Sequence, residues 1–485
     1  MSDIDHDDDP RRWKALSVCL TAGFMTLLDV SIVNVALPSI RDSLGASDAA
    51  LQWVVSGYAL SFGLVLVAAG RLGDARGRRT MFLVGVVVFT VASLLAGVAQ
   101  TAAWLVAARL VQGVGGGIIN PQVSGLIQQL FRGAERGRAF GRLGTTIGIS
   151  TAVGPVLGGL LIAAFGPDDG WRWIFLVNLP VGALAVVLAL RYLDRTSERA
   201  RAADLDPLGA VLLGGGVTGI LWPLVSERWA APEAALLAAG VVLLVAFVLW
   251  ERRVSGRGGT PMVQLSLFRR PGYATGALLA LVYFSGFTGI FFVLTLFFQT
   301  GLGYTPLQAG AAITPFALGS AVMAWVGGRL VHRRGRQVVV VGLLLVVVGL
   351  TATDVLIATQ GESSRTGLWT VVPLLLAGLG SGLVISPNQT ITLAQVPVDQ
   401  AGAAGGVLQT GQRLGAAAGI ALVGALYFAG AADGDQSAGA AHGLRAAIAL
   451  TGAALVIGLV DLVRRRRDEA APERPAPSGA ARRSG

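Results

Sequence analysis

Charge is scarce in this chain, cysteine nearly absent, and each scarcity closes off a class of function. Asp, Glu, Lys and Arg make up 14% of the 485 residues, against 53% hydrophobic residues and a mean hydropathy of +0.66. That is too little polar surface to clothe a soluble globule of this length, so the chain belongs in lipid. Cys19 is its one cysteine, which excludes an intramolecular disulfide and a thiolate metal cluster. Three scattered histidines give no zinc spacing, so neither metal nor cofactor is expected. There is no nucleophile and base in a recognisable motif and no phosphate loop with its lysine, which argues against an enzyme and against an ATP-driven pump. The start, Met1 to Pro10, is acidic, and the first apolar run is long enough to span, so that run is expected to be retained rather than cleaved.

What is present is a succession of apolar runs. A span needs roughly 20 such residues, and that rule places fourteen, near 15–38, 50–70, 81–99, 103–128, 139–165, 173–191, 207–226, 232–250, 273–299, 308–330, 337–358, 367–390, 402–428 and 443–463. An even number puts both termini on one side of the membrane. With the N-terminus inside, 31 of the 38 Lys and Arg fall in or beside cytoplasmic segments, as the positive-inside bias requires. A miscount of one helix would scramble that asymmetry. The net charge of +10 is therefore topological, and no nucleic-acid partner is expected. Arginine outnumbers lysine 37 to 1, which hints at a GC-rich genome.

The two halves of the chain echo each other. Gly70-Arg-Leu-Gly-Asp-Ala-Arg-Gly-Arg78 follows the second span, and Gly328-Arg-Leu-Val-His-Arg-Arg-Gly-Arg336 follows the tenth, with six of nine positions identical. Gly113-Val-Gly-Gly-Gly-Ile-Ile-Asn-Pro121 in the fourth span is echoed by Gly378-Leu-Gly-Ser-Gly-Leu-Val-Ile-Ser-Pro387 in the twelfth. Duplicated halves are a transporter signature, because alternating access rocks one repeat against the other around a midplane site. Six helices per repeat leave two over. The predicted organisation is a cytoplasmic segment 1–14, a six-helix bundle 15–192, an inserted pair 207–250, a cytoplasmic linker 251–272, a second bundle 273–463 and a disordered tail 464–485, an arrangement of 6+2+6.

Two charges stand inside spans of the first half. Asp29 is alone in the run from Ala22 to Pro38, roughly 13 Å below its outer end, and Arg109 lies roughly 9 Å below the same surface on the fourth span. A charge at the centre of a lipid-facing helix costs at least ~2.5 kcal/mol, so each should face protein or a water-filled path. Burial favours the neutral carboxyl and a neighbouring guanidinium favours the ionised one, so Asp29 is placed to take up and release a proton as its surroundings change. Arginine stays charged and suits a fixed counter-charge. The competing reading is a static ion pair that fixes packing.

Several strings together resemble the major facilitator superfamily. Gly70 to Arg79 is similar to its cytoplasmic signature loop. Leu28-Asp-Val-Ser-Ile-Val-Asn-Val-Ala-Leu-Pro38, Gln52-Trp53 with Tyr58, Arg109-Leu-Val-Gln-Gly113, Gly154-Pro-Val-Leu-Gly-Gly159, Trp171-Arg-Trp-Ile-Phe-Leu-Val-Asn-Leu-Pro180 and the stretch Gln299 to Pro315 resemble its fourteen-helix drug:proton antiporter branch (EmrB/QacA-like). The resemblance implies an all-α polytopic antiporter, with the matching acid and arginine engaged in proton coupling. It also implies a gating role for the loop and an antiporter helix at Gly148, Gly154, Pro155, Gly158 and Gly159. Ala75 departs from the signature, where a basic residue is usual.

The residues themselves carry part of the same reading. Gly70 and Gly77 allow a tight reversal, and Asp74 can accept from exposed helix N–H groups or from Arg78, latching the cytoplasmic side; the plainer alternative is a basic topological loop. Small residues four apart and Pro155 make the fifth span a pivot or an ordinary close-packed helix. Asn34, Gln112, Asn120, Asn178, Asn388, Gln389 and Gln409 are polar groups within or at the ends of spans and candidates for a substrate cavity, with interhelical bonding the alternative. The inserted pair shows no chemistry, and Ser255 to Thr260 reads as a flexible linker. Asp354 is expected to snorkel; Arg413 either snorkels or supports the inner gate.

The expected function is a proton-coupled antiporter that exports a lipophilic drug or other small organic compound through a bacterial inner membrane, with both termini cytoplasmic, working as a monomer with no partner beyond substrate, protons and bilayer. The lone Asp29 suits a cationic drug, although a host-made antibiotic, a siderophore or a lipid precursor fits as well. A nutrient symporter is the alternative within transport, and a membrane-embedded sensor or enzyme the alternative outside it.

Overall fold

The structure, a computed structural model, describes residues 11–166, 168–193, 206–225, 231–363, 365–432 and 434–470. Among these residues every regular element is helical. The long helices are α1 Arg11–Leu44, α2 Asp48–Arg76, α3 Arg78–Gly97, α4 Ala102–Leu130, α5 Gly133–Phe165, α6 Gly170–Tyr192, α7 Pro207–Val225, α8 Ala231–Gly256, α9 Pro271–Gly301, α10 Pro306–Arg334, α11 Arg336–Gln360, α12 Val371–Ala394, α13 Ala401–Gly430 and α14 Gln436–Ala470. All fourteen are long and apolar enough to cross a membrane, making this a multi-pass membrane protein.

The helices run past the expected spans because their charged ends project through the interfacial layers, which widen a bilayer to ~40–45 Å. Three expectations change accordingly. Residues 11–14 begin α1, α8 continues through Gly256 into the stretch read as flexible, and α14 continues through Ala470 into the tail read as disordered. Residues 1–10 and 471–485 lie outside the described residues.

Helix ends follow local chemistry. Ser47 and Thr101 cap α2 and α4 by accepting the Ala50 and Trp104 amides, and Thr305 with Gln308 forms a capping box on α10. The repeated loops turn at Gly77 (φ 104°) and Gly335 (φ 49°), left-handed conformations that glycine adopts without penalty.

The second repeat has a packing meaning. In α4, Gly113 and Gly117 lie against the Tyr58 and Phe62 carbonyls of α2, while Gly115 lies against the Phe89 backbone of α3. In α12, Gly378 and Gly382 lie against the Phe316 and Ser320 carbonyls of α10, while Gly380 meets Gly342 of α11. Alternate glycines thus let one helix approach two neighbours at once, in both halves, where apolar side chains alone would give no drive over lipid. One apolar cluster gathers Phe82, Phe89, Ile119 and Phe131 and reaches Tyr273 and Ala404 of the second half; another gathers Phe297, Phe316, Leu343 and Leu350. Helices α7 and α8 cross at Gly219 and Gly240 and lean on α2 and α13 through Val217, Leu221, Leu60 and Ala417.

Two seams join the halves, and both are tight at the end carrying the basic loops. On one, a Cβ at Gly406 of α13 would lie 2.6 Å from the Leu66 carbonyl of α2. On the other, a Cβ at Gly137 of α5 would lie 2.5 Å from the Gly328 carbonyl of α10, with Gly141, Gly144 and Gly148 continuing against Gly328, Ala324 and Ala321.

Candidate functional site

Asp29 and Arg109 form an ion pair 2.5 Å apart, with side chains 0% and 2% exposed. Helix α1 supplies the carboxylate, α4 the guanidinium, and three more helices complete the shell. Gln112 and Asn178 donate to Asp29 Oδ1 at 2.8 and 3.1 Å. Arg109 donates to Gln112 Oε1 at 2.6 Å and to the Val54 carbonyl at 3.0 Å, and its guanidinium stacks 4.3 Å from the Tyr58 ring. Ser93 Oγ accepts from Gln112 at 2.6 Å and Asn178 at 3.3 Å. A charge pair removed from water needs this many partners to be tolerated.

This cluster revises the cavity reading. Gln112 and Asn178 belong to the interior of the first half rather than to a cavity wall, because Asp29 draws both amides inward. Asn388 is likewise interior: it accepts from Arg336 Nη1 at 2.5 Å and donates to the Gly276 carbonyl at 3.0 Å. Ser93 was not anticipated, its only sequence signal being an isolated hydroxyl in an apolar run.

The remaining polar candidates sit differently. Gln389 and Gln409 both donate to Ser124 Oγ at 3.2 Å, and Gln409 also reaches the Asn120 carbonyl at 3.5 Å, so these residues meet across the two halves. Asn34 is exposed on α1, away from that group.

The loop residues converge as a latch. Asp74, 1% exposed at its side chain, accepts from Arg78 at 2.8 Å and from the Gly402 and Ala403 amides at 3.0 and 2.8 Å. Those amides open α13, where free N–H groups and the helix dipole favour a carboxylate. Arg78 also bonds the Gly125 carbonyl at 2.9 Å, Gln129 at 3.1 Å and the Val398 carbonyl. Gly70 touches Gly402 and Gly77 makes the turn.

The fifth helix divides its glycines. Gly148 faces Ala321 and Pro155 faces Gly310, both across the seam. Gly154 and Gly158 instead face Ser31 and Ile32 of α1 within the same half, and Gly159 meets no atom within 4 Å. The stretch is therefore not one pivot surface. Between α5, α9, α10 and α12 lies a pocket lined by Gly148, Thr151, Phe287, Phe291, Phe316 and Ser320.

Four charged sites stand apart from the sequence reading. Asp354 does not snorkel; it pairs with Arg445 of α14 at 3.1 Å. Arg336, read only as a topological charge, is 3% exposed and pairs with Asp461 at 2.7 Å. At the edges of the inserted pair, Glu251, 0% exposed, accepts the Val263 amide at 3.0 Å and faces Asp206 across Gly209, while Asp206 accepts from Trp250 Nε1 at 2.9 Å, contacts the sequence did not signal. Arg413 neither snorkels nor joins the latch, but lies 4.5 Å over the Phe62 ring of α2. No group of three or more His, Cys, Asp or Glu suited to a metal occurs among the described residues.

Comparison with known proteins agrees with this geometry. The family model described as Major Facilitator Superfamily matches residues 19–420. A probable actinorhodin transporter of Streptomyces coelicolor is 40% identical over 86% of this chain and 73% of its own length. The puromycin resistance protein pur8 of Streptomyces alboniger is 38% identical over 86% and 82%. Among solved structures, the human organic anion transporter MFSD10 superposes with a TM-score of 0.68 at 16% identity, covering 93% of this chain and 100% of that one, a likeness of fold alone.

Proposed function

The chain belongs to the major facilitator superfamily and is a membrane transporter, not an enzyme; from that premise we propose that it is a proton-coupled antiporter exporting small organic compounds, antibiotics among them, by alternating access. The observation that carries this reading is the sealed Asp29–Arg109 pair, held mid-helix by Gln112 and Asn178. Export is supported by the relatives named for actinorhodin transport and puromycin resistance.

The coupling follows from electrostatics. Protonating Asp29 removes the anion from a buried pair and leaves Arg109 unmatched, at a cost on the order of 3–5 kcal/mol. That is most of the ~5.5 kcal/mol needed to swing a two-state population from 1:99 to 99:1. Arg109 also holds the Val54 carbonyl and the Tyr58 ring of α2, and α2 carries Asp74 and the latch. Proton exchange at Asp29 therefore acts on the helix that closes one end.

In this reading residues 15–192 and 273–463 rock as two six-helix bundles, with 207–250 as an inserted pair. The latch closes the cytoplasmic side, both termini are cytoplasmic, and the site of residence is a bacterial inner membrane. The protein works as a monomer, exchanging substrate for protons without a cofactor. Everted vesicles test it: an inward-acidic gradient should drive substrate into wild-type vesicles and not into those carrying Asp29→Asn. Accumulation that survives the mutation, or that reverses direction, overturns the antiport assignment.

A further inference from the structure

Three arginines set deep in these helices are matched by acids. Arg78 has Asp74 at 2.8 Å, Arg109 has Asp29 at 2.5 Å and Arg336 has Asp461 at 2.7 Å. Arg413 breaks the pattern. It is the thirteenth residue of α13, ~18 Å along the axis from the helix start. Among the described residues no carboxylate lies within 4.0 Å of it. Its neighbour is the Phe62 ring at 4.5 Å, from the other half.

The surroundings offer hydrogen bonds without negative charge. One turn toward the latch, Gln409 donates to Ser124 and Asn120, and Gln389 donates to Ser124. Asp29 cannot serve as the missing counter-ion, because Arg109, Gln112 and Asn178 saturate it and Tyr58 stacks against that arginine. The residue is partly exposed. A half-buried cation without an acid is costly to keep unless something anionic visits it. A guanidinium presents planar N–H donors that match a carboxylate or phenolate two bonds at a time.

We propose that Arg413 is the anion-recognising residue of the transport site, and that the exported compounds carry an acidic oxygen, a carboxylate or an ionised phenol or enol, on an aromatic body. The Phe62 ring, 4.5 Å from the guanidinium, is an apolar face suited to stacking such a body. A lone Asp29 pointed to cationic drugs; with that acid paired to Arg109, Arg413 is a cation facing the other half with no carboxylate within 4.0 Å among the described residues. This assignment rests on the export reading and gives it a substrate class.

The test uses the full-length protein in nanodiscs and in everted vesicles, with three fluorescent compounds on one ring system: anthracene-2-carboxylate, its amide, and anthracene-2-methylammonium. Wild type should bind the carboxylate about tenfold or more tightly than the amide, the size of one charged hydrogen-bonding contact. Arg413→Gln should bring the carboxylate-to-amide ratio near one, and Arg413→Lys, which keeps the charge and loses the planar fork, should hold it between. No carboxylate preference in wild type, or a preference that survives Arg413→Gln, overturns the proposal. Should Arg413→Gln fail to reach the membrane, Arg413→Lys decides: a lowered ratio supports the assignment and an unchanged one overturns it. Gradient-driven accumulation of the amide without carboxylate preference sinks the anion assignment alone. Carboxylate preference without gradient-driven accumulation of any compound upholds it and sinks the export reading instead.

Discussion

Gly70 and Gly402 cross backbone to backbone: a Cβ on Gly402 would lie 2.6 Å from the Gly70 carbonyl oxygen, and the Asp74 carboxylate sits 2.8 Å from the same point. No side chain fits at this crossing, so the closed latch depends on two hydrogen atoms standing where methyl groups would otherwise be.

Gly402→Val should therefore hold the basic end open. Cys19 is buried and is the single native cysteine, so a reporter cysteine placed near Ser124 in a Cys19→Ser background reads accessibility cleanly. Labelling from the basic side should rise severalfold in Gly402→Val and stay low in the parent; equal labelling of the two would contradict the crossing as the seal.

Asp74→Asn keeps the size of the side chain but gives up the charge that holds Arg78 and faces the start of α13. Removing one partner of a mostly buried pair costs on the order of 3–5 kcal/mol. The same reporter should become accessible and transport should slow by an order of magnitude or more, with membrane levels retained. Asp74→Glu, which keeps the charge, should fall between.

Gln112→Leu should separate structure from coupling at the buried pair. Gln112 donates to Asp29 and Ser93 and accepts from Arg109, so its loss leaves one oxygen of Asp29 short of a donor and Arg109 short of an acceptor. Gradient-driven transport in vesicles should slow by about an order of magnitude while substrate binding without a gradient changes little. Unchanged gradient-driven transport would remove Gln112 from the coupling network.

In the second half, Arg336→Met and Asp461→Leu should each lower thermal stability in detergent, because either breaks a buried ion pair. The double variant should recover most of the loss, since a buried pair gains little over well-packed apolar side chains. Additive losses would show that the two residues act independently.

Glu251→Ala should loosen the segment after α8, where Val263 depends on that carboxylate and packs with Met262 against Val67 and Phe247. The expected cost is ~1–3 kcal/mol, the value of an acceptor lost to a buried amide. Glu251→Gln, which keeps an acceptor, should be milder, as followed by thermal unfolding.

Apolar runs of the right length, the arginine asymmetry between loops and two pairs of echoed strings determine from the sequence alone that fourteen helices cross a membrane, because span length and charge placement are local properties of a chain in a bilayer. The meeting of Asp29 with Arg109 was legible for a similar reason: two isolated charges at matching depth have few other places to go. Partner choice is different, since it depends on which faces of which helices meet. Only the tertiary structure took Gln112, Asn178 and Asn388 out of the cavity wall, paired Arg336 with Asp461 and Asp354 with Arg445, and divided the fifth helix between α1 and the seam. It alone showed Arg413 with no acid beside it among the described residues, because a side chain's neighbours on other helices are set by crossings that glycines at 113, 117, 378 and 402 permit, and no period along one helix records what stands on the next.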